Sequence, residues 1–338
     1  MKQSIFMLMC AGFATLAFGQ ETEERAQKIV IGHILPRFER LAKQTTYLAQ
    51  VAEKECAADS AALRSAFTDA FDALLAASHL RFGPMEMDNR SFALAFWPDP
   101  RGSTPKSLEK LIQANDPIIQ TPQDFNSVSI AARGFYALEF LIYDPVLSTA
   151  GEALYHCRLI QTIAKDIQKL AVSTLADWQD EYAMKMLDPS IMGPYRSKDE
   201  VDQELFKALS AGLQFTSEMR LGRPLGTFDR PRPRRAEAWR SGRSSHHVAI
   251  SLSALRDLSL QLAPAGSFLE ERLQSAFDRA QSQLTSLDDP IFAGVAIVQT
   301  RIKVEIVQQS IEAIRDIIRN ELGPELGVNA GFNAMDGD

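Results

Sequence analysis

Glu139 stands in a strongly apolar stretch, Phe135-Tyr-Ala-Leu-Glu-Phe-Leu-Ile142. A buried carboxylate without a partner is costly, so such a residue is either paired structurally or part of a ligand site. At helical spacing Arg133, Tyr136, Glu139 or Phe140, and Tyr143 fall along one stripe, a polar ladder able to face a cleft. A second concentration of donors is Trp239-Arg240-Ser241-Gly242-Arg243-Ser244. Ser244 can cap the helix that follows it, and a helix N-terminus attracts anions. Arg240, Ser241 and Arg243 beside that terminus suit a carboxylate, and Glu139 is one candidate occupant. His33, close before Pro36, is the third candidate. A histidine in an amphipathic helix is packed, solvated or functional, and spacing alone does not choose.

The patterns of hydrolytic chemistry are missing. There is no His-Glu-x-x-His, and none of the five histidines has Asp or Glu three or four residues later. Glu152-x-x-x-His156 has helical spacing but lies beside Cys157 and reads as structural. No Gly-x-Ser-x-Gly elbow occurs. Between Arg220 and Arg243 lie eight arginines against Asp229 and Glu237 alone, and the Pro231-Arg-Pro-Arg-Arg core is too proline-rich for a helix. That cationic loop either meets a nearby acidic surface or an anionic partner.

The elements that must position these residues are helices. Arg25 to Cys56 reads as one long helix kinked at Pro36. Ala58 to Leu80 carries Leu63, Ala66, Phe67, Ala70, Phe71, Leu74 and Leu75 on one stripe. Further helices are expected over Ser107–Asn115, Thr121–Tyr143 (with Pro122 after a capping Thr121), Gly151–Leu187, Asp199–Arg220, Ser244–Leu262, Ser267–Leu287 and Phe292–Leu322. No alternating run argues for a sheet. The expected architecture is all-α, two helical-bundle domains over residues 20–190 and 191–338, the second with the Arg-rich loop. Ser127…Ala132…Phe135-x-Ala-Leu138 aligns without gaps to Ser244…Ala249…Leu252-x-Ala-Leu255, an echo that leaves an internal duplication open.

Lys2 and the apolar run Ile5–Phe18, ending in Ala17-Phe-Gly19, read as a cleaved secretory signal over residues 1–19. Its loss takes the net charge from −7 to −8, which gives no overall attraction for nucleic acid. It also removes Cys10, leaving Cys56 and Cys157. In an oxidising compartment these most simply form one disulfide, with two unrelated buried thiols as the alternative.

Six segments in order, His33-Ile-Leu-Pro-Arg-Phe, His79-Leu-Arg-Phe-Gly-Pro, Phe96-Trp-Pro-Asp, Gly134-Phe-Tyr-Ala-Leu-Glu-Phe-Leu-Ile-Tyr, Glu237-Ala-Trp-Arg-Ser-Gly-Arg-Ser and Gly331-Phe-Asn-Ala-Met-Asp-Gly-Asp, resemble the imelysin family. Its members are also called insulin-cleaving membrane proteases or iron-regulated proteins. The resemblance covers nearly the whole mature chain. It implies a two-bundle fold with a site at the interface, export to the cell envelope and, for several members, association with iron acquisition. The family has been classed as metallopeptidases on a Gly-x-His-x-x-Glu motif. Here that motif reads Gly134-Phe-Tyr136-Ala-Leu-Glu139, as in a subgroup with Gly-x-x-Ala-Leu-Glu. Tyrosine, with a pKa near ~10, is a poor zinc ligand, whereas ferric iron accepts tyrosinate. Zinc is therefore disfavoured as a cofactor, while iron, with Glu139 as one ligand, stays open.

The reading that results is a periplasmic, non-catalytic binding protein associated with iron or metal uptake. Its expected partners are an iron-transport component or a small anionic ligand, with no nucleic acid and at most a peripheral membrane contact. A metallopeptidase and an envelope scaffold are the alternatives. Glu139 should meet Arg240, Ser241 and Arg243 across the domain boundary, an arginine neutralising it, with Tyr136 and His33 at the rim.

Overall fold

A computed structural model describes residues 24–121 and 124–328. The expected signal, Pro122 and the Gly331–Asp338 segment lie outside the described residues. Among the described residues there is no β-strand, only an isolated bridge between Thr227 and Arg230.

The first long helix contains a π-turn, Val30–Ile34, that leads into α1 (Leu35–Lys54). Pro36 explains it. Proline cannot donate to the carbonyl four residues back and its ring crowds that carbonyl, so the ladder widens by one residue, with Leu35 N–H bonding to Val30 C=O. The kink expected at Pro36 is this widened turn, and it carries His33. Next come α2 (Ala61–Ala77), capped by Ser60, and α3 (Ser103–Ala114).

The expected helix Thr121–Tyr143 is mostly absent. Short 3₁₀ turns at Phe125–Ser127 and Ile130–Ala132 precede α4, which is only Gly134–Tyr143. Polar turn-formers divert the chain: Asp124 C=O accepts from both Ser127 N–H and its hydroxyl. Ser129 and Arg133 are then extended. The aligned echo at Ser244–Ala249 is regular helix, so the two segments differ in backbone at this end.

The remaining helices are α5 (Ala153–Asp177), α6 (Lys198–Gln214), α7 (Ser244–Leu262), α8 (Phe268–Thr285) and α9 (Val298–Ile317). Three further π-turns prolong helices: Trp178–Tyr182 after α5, Phe215–Leu221 after α6 and Ile318–Leu322 after α9. Helix α1 packs between α2 and α5, with α4 on α5; α8 packs between α7 and α9. Helix α7 also contacts α2 and α6, so one helix bridges the two groups. Phe38, Leu41, Leu48, Phe67, Phe71 and Phe135 are fully buried. Each such side chain contributes about 1.5–3 kcal/mol by leaving water. Cys56, just past α1, is bonded to Cys157 on α5, their Cα atoms 5.0 Å apart.

Candidate functional site

Helix α4 starts where almost no residue but glycine fits. Gly134 has φ +75°, and a Cβ there would lie 2.3 Å from the Ala93 carbonyl oxygen and 2.4 Å from that of Leu94. This close approach fixes the first turn of α4 and hence Tyr136 and Glu139, three residues apart.

Tyr136 is buried, and its hydroxyl donates to Glu237 Oε1 at 2.5 Å. Glu237 Oε2 accepts from Arg220 Nε at 2.8 Å and from His247 Nδ1 at 3.2 Å. Arg220, from the π-turn after α6, also donates to Thr216 Oγ1 and Ser78 Oγ. Burial by itself would push Glu237 up, but Arg220, His247 and Tyr136 together hold it down at about 2. The same arrangement drives the Tyr136 phenol well above its usual 10, burial first and the Glu237 charge second. Burial also lowers His247, against the Glu237 contact, which raises it.

Glu139 does meet the 240s segment, but through Ser241. Its Oε1 accepts from Ser241 N–H at 3.0 Å and from Ser241 Oγ at 2.7 Å. Burial raises its pKa, and the two Ser241 hydrogen bonds work against that rise. The expected arginine pairing is not made: among the described residues no arginine forms an ion pair with Glu139, because Arg240 and Arg243 each have a nearer carboxylate, and Arg240 acts on it only through its charge. Arg240 pairs with Asp144 at 2.8 Å and lies over the Phe140 ring; Arg243 pairs with Asp72. Arg133, on the same stripe as Glu139, pairs with Asp166 at 2.7 Å. Ser244 does not cap α7 either. Arg243 occupies the N-cap position without a side-chain bond, and Ser244, already helical, has a buried hydroxyl without a partner among the described residues. His33 is fully buried rather than at a rim, bonded to Asp257 and His79.

Beside the Tyr136–Glu237–Arg220 network lies a cleft of about 280 Å³ between the end of α2, Trp97, α6 with its π-turn, and α7. Trp97 and Phe215 form an aromatic wall, their ring centroids 5.8 Å apart. Arg81 lies over Phe92 and makes no ion pair among the described residues, with Arg220 near enough to oppose its charge. Lys207 also lines the cleft; its acids, Glu86 and Glu204, both act on the Tyr182 phenol and so lie toward that end. His156 likewise proves structural, bonded to the Leu147 carbonyl.

Glu237, Arg220, His79 and His247 are residues that spacing does not flag as a site. Glu237 does carry a signal, being an acid between Ala236 and Ala238 inside an arginine-rich run. Its partners come from as far as 101 positions away.

This donor set does not fit a metal ion. A tyrosinate ligand would need Tyr136 to lose the proton it donates to Glu237, and Glu237 is already engaged by three donors. Among the described residues no three His, Cys, Asp or Glu side chains converge as a metal-binding group.

Fold and site together define an all-α protein with a polar network and a small cleft joining two groups of helices. The family model described as Imelysin matches residues 34–318, and the chain belongs to the imelysin family. It is 22% identical to iron-regulated protein A of Synechococcus elongatus over 358 aligned positions, covering 96% of this chain and 94% of that protein. An imelysin-like protein from Psychrobacter arcticum shares the fold with a TM-score of 0.76 at 19% identity, over 93% of this chain and 98% of the other. A solved structure from Parabacteroides distasonis does so at 0.72 and 12%, over 89% and 94%. Among the described residues no helix is long and apolar enough to cross a membrane.

Proposed function

We propose that this protein is an exported, non-catalytic binding protein of the cell envelope, associated with iron uptake, that takes a small carboxylate-bearing ligand in the cleft. The observation that carries this reading is the fate of the motif position. Tyr136, where the motif histidine would stand, donates to a carboxylate that already holds Arg220 and His247, so the position serves a hydrogen-bonded network rather than a ligand set. What remains open for binding is the Arg81 guanidinium, which makes no ion pair among the described residues and lines the cleft together with Trp97 and Phe215. A guanidinium presents a planar fork that matches a carboxylate, and an aromatic wall receives an apolar or π face. A volume of about 280 Å³ suits a small molecule and is too small for a folded polypeptide segment. Iron then arrives as a carboxylate chelate, its oxygen ligands supplied by the chelator and its charge met by Arg81.

The test is equilibrium binding of citrate and ferric citrate to the purified chain, with retained metal measured. Citrate or its ferric complex should bind, and Arg81→Glu should weaken binding at least about tenfold, the cost of replacing an attractive charge by a repulsive one. Stoichiometric zinc together with peptide-bond cleavage, both lost in Glu139→Gln, would establish the metallopeptidase instead.

A further inference from the structure

Behind the cleft, three helical segments bring together groups that holding an anion does not by itself require. His33, in the first π-turn, places Nδ1 2.8 Å from Asp257 Oδ2 on α7 and Nε2 2.8 Å from Nε2 of His79, just past α2. Arg37, one turn on from His33, donates to the same Asp257 oxygen at 2.8 Å and to the His33 carbonyl. Gly212 of α6 permits this packing: a Cβ there would lie 2.9 Å from His79 Cβ and 2.6 Å from a Leu255 methyl. His79 itself lines the cleft. Its Nδ1 has no protein partner among the described residues, yet it is not among the atoms sealed from solvent, so it opens onto cleft space.

Two ring nitrogens 2.8 Å apart share a single proton. The Asp257 carboxylate, which His33 and Arg37 hold well below the usual range against the effect of burial, only accepts. His33 therefore carries a proton on Nδ1. In the neutral pair its Nε2 is a lone pair, His79 donates from Nε2, and His79 Nδ1 is a bare acceptor. One added proton reverses this. It enters at His79 Nδ1 from the cleft while the Nε2 proton of His79 passes to His33 Nε2, and no other bond forms or breaks. His33 is then an imidazolium beside Asp257, and His79, still neutral, is a donor.

The geometry points to the His33–His79 pair as a proton-driven hydrogen-bond switch that sets the polarity of one cleft contact, accepting when neutral and donating to an anionic group when protonated. It deepens the anion-binding reading above and rests on it for its consequence. The charges around the pair favour His33 as the resting place of the proton. Burial lowers both imidazoles, but contact with Asp257 opposes this at His33, with Arg37 acting the other way. His79 is pressed further down by His33, Arg37 and Arg220, with Asp257 opposing. Arg81, Lys207, Glu86, Glu204 and the Glu237–Tyr136 pair line the same cleft and complete its charged or titratable surroundings. Anion binding should thus take up a proton and tighten as pH falls.

Long-range ¹H–¹⁵N correlations of the histidine rings in the labelled full chain test the switch directly. At about pH 8 His33 should be the Nδ1–H and His79 the Nε2–H tautomer. As pH falls below the ordinary histidine value of 6.5, one coupled step should turn His33 into imidazolium and His79 into the Nδ1–H tautomer. Asp257→Asn should move that step down by about one pH unit or more. Two independent titrations, or an Nδ1–H His79 already present at about pH 8, would overturn the switch. Calorimetry with oxalate, which stays ionised over this range, in buffers of different protonation enthalpy should show uptake of about one proton per anion, abolished by His79→Phe. Oxalate binding without proton uptake would overturn the coupling. If neither oxalate nor citrate binds while the tautomer change is intact, the anion-binding reading fails and the switch stands.

Discussion

At the scale of single residues, Glu237 is the most consequential group in the molecule. It is buried and ionised, and it satisfies Tyr136, Arg220 and His247 at once. Its folded pKa of about 2 lies below its ordinary 4.5, so its contribution to stability is fully present above the ordinary value. That contribution is lost as pH falls from about 4.5 toward about 2. Glu237→Gln keeps the shape but strands the Arg220 cation in the interior. It should cost about 3–5 kcal/mol at neutral pH, read as a lower urea midpoint at unchanged slope. The loss relative to the parent should shrink in acid, as the parent's own carboxylate becomes protonated. Glu139 behaves differently because Ser241 supplies its hydrogen bonds without a charge. It is a buried acid tuned upward, where Glu237 is tuned downward.

At the scale of elements, two of the four π-turns and one glycine position His33, Phe215, Arg220, Tyr136 and Glu139. Val30–Ile34 carries His33, and Phe215–Leu221 carries Phe215 and Arg220. Each widens a helix by one residue and so turns a side chain away from its regular 3.6-residue face, which is how a residue off the apolar stripe reaches the interior. Gly134 sets the start of α4. Gly134→Ala would place a Cβ against two backbone carbonyls at a left-handed φ, and should destabilise by roughly 2–5 kcal/mol from the conformational and overpacking costs together. The same variant should lengthen the Tyr136–Glu237 contact, visible as a downward shift of the Tyr136 phenol titration relative to the parent.

At the scale of the whole molecule, the Cys56–Cys157 bond ties α1 to α5 across a sequence separation of 101. In the chain-entropy account, closing a loop of that length is worth up to about 4–5 kcal/mol. The Cys56→Ser/Cys157→Ser double variant should therefore melt at a lower temperature, and reductant should have no further effect on it. Reductant should bring the parent to the same melting point.

The all-α class, most helix cores and the disulfide partners were legible in the sequence, since period-3.6 patterning and cysteine arithmetic are local or combinatorial. Glu139 was legible as a buried acid needing a partner, and the 240s segment as a source of donors. Which donor would reach it was not, because Arg240 and Arg243 find Asp144 and Asp72 first and only the packed chain brings those acids near. The helix expected over residues 121–133 failed for a local reason, with side-chain and backbone turns around Asp124 and Ser127 outcompeting a helical pattern. Patterning by itself determined that these segments are helices with buried faces, because burial periodicity is written along one chain segment at a time. The Glu237 network and the His33–His79 contact were decided by tertiary structure alone. Tyr136 and Glu237 lie 101 positions apart, His33 and His79 lie 46 apart and His33 and Asp257 lie 224 apart, and their protonation depends on burial and on charges that no single segment carries.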